Sequence, residues 1–354
     1  MPLRRVRITA FRCITEADLA LDPARNFISG ANGAGKTSIL EAMFLLGRGR
    51  SFRTRHTRML VKHGEPALTV YGEVDEGERT RRLGATFSEG HLAKRVDGED
   101  THGANLATIM PVQAIGPDSH ALIEGCPSGR RRLLDWGVFH VERPYLELWQ
   151  RYRRLLGQRN TALKAGVTLR SDLDVWTRPL VETGEEIDRL RAAYVERLVV
   201  SVGEHSEALI GARVELEYRR GWPRDVPFGE ALAASETRDR QVAYTELGPH
   251  RADLVLHLDG RKIQDVASRG QQKLVAAALI LGQENVLTAA LGESGVLLVD
   301  DPAAELDSDA FDRLLDRLAL VGSQLVLTGI SPLERRLQRA WARFHVERGR
   351  VHAL

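Results

Sequence analysis

The run Gly30-Ala31-Asn32-Gly33-Ala34-Gly35-Lys36-Thr37 fits the pattern G-x-x-x-x-G-K-[ST], and each residue type in it suits the holding of phosphate. Glycines let consecutive backbone N–H groups converge on an anion, and the helix that follows adds partial positive charge at its start. Lys36 has the length to reach β and γ phosphates, the Thr37 hydroxyl is a hard ligand for Mg²⁺, and Ser38 continues the first turn. Only six of the fifty basic residues are lysine, at 36, 62, 94, 164, 262 and 273. A lysine at the motif position therefore weighs more here than in a chain of ordinary composition. The competing reading is a glycine-rich turn that merely starts a helix.

A triphosphate with its metal also needs a carboxylate from elsewhere in the chain. Val296-Leu297-Leu298-Val299 is a continuous apolar run that ends in Asp300-Asp301, as expected of a central parallel strand whose C-terminal end faces a ligand crevice. Asp300 is then the acid that serves Mg²⁺, directly or through a bound water, and Asp301 is placed to orient or deprotonate an attacking water. Ser268-Arg269-Gly270-Gln271 opens a helix with Leu274, Ala277, Ala278 and Leu281 on one face. Locally this is a capping box, and a helix N-terminus capped in this way is also an anion site.

The elements that must position these groups follow from periodicity. Val6, Ile8 and Ala10 alternate with polar neighbours, Asn26-Phe27-Ile28 leads into the glycine run, and Ile39, Met43 and Leu46 form one helical face ending at Gly47. Strands are expected over 68–74, 81–87 and 92–96, with turns at Ser88-Glu89-Gly90 and Asp97-Gly98. From about Arg130 the apolar spacing becomes helical, with a break near 166–174, and strands alternating with helices return after Gly248-Pro249. Three segments are expected: 1–120, a mainly helical insertion over 121–245, and 246–354.

At 354 residues the chain is long enough for about two domains. Its formal charge of +2 does not by itself declare a nucleic-acid partner. Locally, Arg48, Arg50, Arg53, Arg55, Arg58 and Lys62 follow one another without an intervening acid, and Arg130 to Arg132 and Arg151, Arg153 and Arg154 form further clusters. Such runs suit contacts to a phosphate backbone, or else reflect the arginine bias of the whole chain. No 18-residue apolar run suggests a membrane span. The opening MPLRRVRITAF lacks the apolar stretch of a secretory leader, and Cys13 and Cys126 lack metal-ligand spacing. A reducing cytoplasm is the expectation.

In order along the chain, Phe11-Arg12, Gly30 to Glu41, Gly49 to Arg53, Arg130 to Trp136, Gly248 to Asp253, Ser268 to Lys273 and Asp300 to Asp307 resemble the RecF family of bacterial recombinational-repair ATPases, relatives of SMC heads. The resemblance spans essentially the whole chain. It implies an α/β fold: an ABC-type P-loop ATPase head, with a mixed or parallel sheet and an antiparallel β subdomain, interrupted by a helical lobe. It implies ATP and Mg²⁺ as cofactors, with Gly30 to Ser38 binding ATP and Arg12 near the adenine. Gln113 corresponds to the glutamine that senses metal and water, Ser268, Arg269, Gly270 and Gln271 to a signature acting in trans, and Glu305 and Asp307 to the D-loop.

The partners implied are a second copy of the chain, double-stranded DNA near junctions with single-stranded DNA, and RecR, with RecO and RecA downstream. Arg50, Arg53, Arg55 and Arg58 are the DNA-contact candidates. Aspartate at 301 where glutamate is usual, Ala304 where serine is common, and Thr328 in place of a switch histidine imply slow hydrolysis that resets a clamp. The alternative is another SMC-like or ABC-type ATPase whose hydrolysis is itself the output. His250-Arg251 contacts DNA, contacts nucleotide, or turns the chain back into the head.

Overall fold

The computed structural model describes residues 1–77, 79–166, 170–303, 306–330 and 341–354. They form two compact units, Met1–Ser119 with Ala276–Leu354, and His120–Val275. In the first unit, the N-terminal segment supplies β1 (Leu3–Phe11), β2 (Ile14–Ala20), β3 (Arg25–Gly30), helix α1 (Lys36–Arg48), β4 (Leu68–Glu76), β5 (Arg79–Ser88), β6 (His91–Val96), β7 (Glu99–Asp100), α2 (Gly103–Ile109) and β8 (Val112–Ile115). The second unit holds α3 (Ala121–Glu124), α4 (Pro127–Val141), α5 (Tyr145–Lys164), α6 (Arg170–Ile210), β9 (Glu215–Arg219), α7 (Phe228–Val242), β10 (Asp253–Leu258), β11 (Arg261–Lys262) and α8 (Ile263–Val266). Then come α9 (Arg269–Leu291), inside which the unit boundary falls, and β12 (Val296–Val299), α10 (Ser308–Ala319), β13 (Gln324–Gly329), β14 (Ala342–Glu347) and β15 (Arg350–Ala353) of the first unit.

Among the described residues the first unit has two six-stranded sheets. One is antiparallel, in the order β2-β1-β4-β5-β6-β7. Its two-residue turns Glu89-Gly90 and Asp97-Gly98 have positive φ at both positions, the geometry that matches strand twist. The other, β15-β14-β3-β13-β12-β8, is parallel except for the β15 edge. All four residues of β12 are buried, which explains its unbroken apolar run. Helix α1 packs against strands of both sheets, so its apolar residues Ile39, Leu40, Met43, Leu45 and Leu46 share one core with β1, β4, β12 and β13. It runs past Gly47 and stops where Gly49 takes φ 63 and donates to the Leu45 carbonyl at 2.8 Å.

The second unit is not purely helical and does not end near 245. β10 pairs antiparallel with β9, matching Leu254 to Tyr218, and Arg130 forks onto both oxygens of Asp253 at 2.9 and 3.0 Å. These contacts draw 246–275 into the unit. The helical break is also shorter than periodicity suggests, because α6 is under way by Arg170. His250 lies between the Tyr152 hydroxyl at 2.8 Å and the Thr245 carbonyl at 3.0 Å, and burial pulls its pKa down to about 4. Arg251 lies 5.5 Å from the Tyr244 ring. His250 is thus held by contacts within the second unit, while Arg251 is exposed.

Helix α9 is long and apolar enough to cross a membrane by composition, yet most of it is buried inside the protein. Gln283 and Glu284 interrupt its apolar run and are themselves buried, so it is a core helix.

Buried charge also organises the second unit. Arg159 pairs with Asp239 at 2.8 Å, with almost no exposure of either side chain. Arg159→Met would leave that carboxylate with the Glu246 N–H at 3.0 Å but without its countercharge. The expected loss is about 3–5 kcal/mol, read as a lowered denaturant midpoint for the second unit by tryptophan fluorescence.

Candidate functional site

β3 delivers the chain to Gly30, where an added Cβ would come within 2.5 Å of the Val346 carbonyl of β14, so the parallel pairing of Gly30 with Val346 requires glycine. Gly33 and Gly35 then take φ 78 and 120, and α1 begins at Lys36. Gly35 at the N-cap offers no side chain to cap the helix, which leaves the first N–H groups to face an anion. The Lys36 ammonium donates to the carbonyls of Gly30 at 2.8 Å and Ala31 at 3.1 Å, lying across the loop it closes. The turn between β14 and β15 backs the loop, with Gly349 N–H donating to the Ala34 carbonyl at 3.1 Å.

Thr37 Oγ1 donates to Asp300 at 2.8 Å (Oδ2) and 3.0 Å (Oδ1). Thr328 of β13 donates to Asp300 Oδ1 at 2.8 Å and accepts the Asp301 N–H at 3.0 Å. Thr328, noted in the sequence only as a missing histidine, thus orients both acids. Asp301 has φ 44, a left-handed conformation that aspartate tolerates better than most side chains. These groups sit at the C-terminal ends of β3, β12 and β13, where parallel sheets bind ligands. A hydroxyl and a carboxylate this close to a phosphate loop form an all-oxygen donor set that suits a hard cation such as Mg²⁺.

Residues 2–345 match the family model described as the RecF/RecN/SMC N terminal domain. The DNA replication and repair protein RecF of Edwardsiella ictaluri is 39% identical, covering 99% of both chains. The chain belongs to the RecF family. A solved structure of the recombination mediator protein RecF, as RecF-ATP in the RecFOR pathway, superposes with a TM-score of 0.87 at 26% identity, covering 100% of this chain and 97% of that one. An Smc head bound to the C-winged helix domain of ScpA shares the fold, with a TM-score of 0.63 at 14% identity, covering 100% of this chain and 98% of that one. The head of this RecF-family chain is accordingly an ABC-type α/β fold with an antiparallel β subdomain.

The structure does not bring every predicted residue to the loop. β8 pairs Ile115 with Val299, and Gln113 with Leu297. Gln113 therefore lies three positions, roughly 10 Å, short of Asp300 along the sheet. Its amide instead donates to buried Glu284 of α9 at 3.2 Å. Arg12 lies beside the loop helix, where its neighbour Cys13 meets Ser38 at 3.6 Å, and it forks onto Glu41 at 3.0 and 2.9 Å and donates to the Met59 carbonyl at 2.8 Å. The capping box at α9 is formed: Gln271 accepts the Ser268 N–H at 2.9 Å and Ser268 Oγ accepts the Gln271 N–H at 3.3 Å. Asp307 caps α10 through the Ala310 N–H at 2.7 Å, whereas Glu305 and Ala304 lie outside the described residues. Arg50, Arg53, Arg55 and Arg58 are exposed along one segment of the first unit.

Glu41 and Glu284 carried no signal beyond an acid placed among apolar helix positions. Burial raises Glu284 to about 7, opposed by hydrogen bonds from Ser323 and Gln113 and by the charge of Arg48. Between its ordinary 4.5 and that value the folded protein keeps a proton that the unfolded chain releases, so stability falls as pH rises across this window. Glu284→Gln is expected to flatten that fall, by up to about 3 kcal/mol, in thermal melts taken from pH 4.5 to 7.5.

Proposed function

We propose that this chain binds ATP with Mg²⁺ at the phosphate loop and acts as an ATP-gated, dimerising clamp on double-stranded DNA in the bacterial cytoplasm. The observation that carries the reading is the contact of the Thr37 hydroxyl with Asp300 at 2.8 Å, in a chain 39% identical to a RecF. Lys36 and the backbone of 30–38 would hold the triphosphate, and Thr37 and Asp300 would hold Mg²⁺. The bound ion would supply charge neutralisation on the phosphates. Asp301 would orient the attacking water and accept its proton; its short side chain and Thr328 in place of a histidine suit slow turnover. The capped N-terminus of α9 would serve the nucleotide of a second copy. The exposed arginines would meet duplex phosphates without reading sequence. RecR, RecO and RecA are the partners proposed, at gaps where duplex meets single strand.

Sizing the protein with and without ATP and duplex DNA tests this directly. ATP is expected to produce a dimer that Lys36→Arg fails to form and that Asp301→Asn forms and releases more slowly; an Asp301→Asn protein unable to bind ATP would remove the role given to Asp301. Replacing Arg53 and Arg55 by alanine should weaken binding to all duplex sequences alike and lower the salt slope by about 2, measured by titration across salt concentrations. Unchanged binding would end the assignment of this segment.

A further inference from the structure

We infer that Glu41 is the positioning residue through which the phosphate-loop helix controls the arginine segment 50–58, an inference that rests on the nucleotide and DNA reading above. Glu41 is fully buried although it sits on a helix whose neighbouring positions are apolar. A buried carboxylate is costly unless charged and hydrogen-bonding partners surround it, and its partners here come from two directions. Arg12, at the end of β1, forks onto both oxygens. The arginine segment supplies the rest: Ser51 Oγ donates at 2.5 Å and the Arg53 guanidinium lies 3.6 Å away. Ser51 Oγ in turn accepts the N–H groups of Arg53 at 2.9 Å and Thr54 at 3.1 Å, which fixes the course of the chain that presents Arg55 and Arg58.

The far end of the segment is pinned as well. The Arg12 side chain bonds the Met59 carbonyl at 2.8 Å, Arg12 N–H bonds the Leu60 carbonyl at 2.7 Å, Lys62 N–H bonds the Ala10 carbonyl at 2.9 Å, and Phe11 bridges Val61. Arg12 itself takes φ 53, with its backbone N–H and its guanidinium both bonded to this segment. Along α1, Glu41 lies four residues beyond Thr37, so the two share a helix face. One of them bonds the metal acid Asp300, and the other holds the arginines. Beside the edge-to-face contact of Phe44 with Phe52 at 5.2 Å, Glu41 is thereby the charged link through which a movement of α1 that follows nucleotide binding would reach 50–60. A residue needed only for packing would not require charge at this position.

The test uses the full chain and reads amide hydrogen exchange over 50–60, duplex DNA affinity with and without ATP, and binding of a fluorescent ATP analogue. In the unaltered protein ATP is expected to slow exchange over 50–60 and to tighten duplex binding. Glu41→Gln should bind the analogue within about threefold of the unaltered protein, speed exchange at Arg53 and Thr54, and lose at least fivefold of the ATP-dependent tightening. Ser51→Ala, which leaves the core carboxylate in place, should change exchange and tightening in the same direction and guards against a Glu41→Gln protein that fails to fold. The inference is overturned if both variants keep the full nucleotide response. If alanine at 53 and 55 leaves DNA binding intact while Glu41→Gln still abolishes the nucleotide-dependent exchange, the DNA reading falls and the coupling stands. No nucleotide response in the unaltered protein overturns both.

Discussion

A threonine hydroxyl at position 37 and a carboxylate at position 300 lie 2.8 Å apart, and much of the first unit can be understood as what that contact demands. Together they make an all-oxygen pair of the kind that suits a hard cation. The chain therefore has to deliver Thr37 at the first turn of a helix whose start faces the loop, and Asp300 at the tip of a strand one place removed from β3. β13, lying between β3 and β12, fills that gap, and its Thr328 reaches Asp300 from the strand between. The order of strands and the orientation of the acid are thus one constraint seen at two scales.

The same helix is held on two sides. α1 packs against an antiparallel and a parallel sheet, so most of its surface is core, and a polar group on it survives only where partners converge. Lys36, Thr37 and Glu41 are such places. Lys36 meets loop carbonyls, Thr37 meets the acid of β12, and Glu41 meets Arg12 and Ser51. One helix thus carries three polar groups whose partners lie in the loop, at the tip of β12 and in the arginine segment, and each would lose at least one hydrogen bond if it shifted.

The second unit shows a different use of charge. Arg159 with Asp239, Arg191 with Asp135 and Arg130 with Asp253 are paired inside it. Many arginines of this arginine-biased chain therefore serve as structural cross-links, and an arginine cluster in the sequence is no guide to a surface until its partners are known. Arg130, in a run of three arginines, is a structural pin; Arg55 and Arg58 are exposed.

What was legible in the sequence was whatever depends on local spacing. Glycines at 30, 33 and 35 followed by Lys36 and Thr37, the all-apolar 296–299 with acids at its end, the two-residue turns at 89–90 and 97–98, and the capping box at 268–271 all appear where short-range periodicity and turn chemistry put them, because backbone geometry over a few residues is set by those residues. The resemblance carried by the ordered motifs already named the family. Only tertiary structure decided what each remaining polar group is for. Gln113 lies on the expected strand, but register and a buried glutamate 171 residues away in sequence turn its amide into the core. Arg12 is claimed by Glu41, Thr328 bonds both members of the acidic pair, and 246–275 joins the second unit because β10 finds β9. Hydrogen-bond partners distant in sequence leave no periodic trace, so the fate of a buried polar side chain is settled only when the sheets and helices have closed around it.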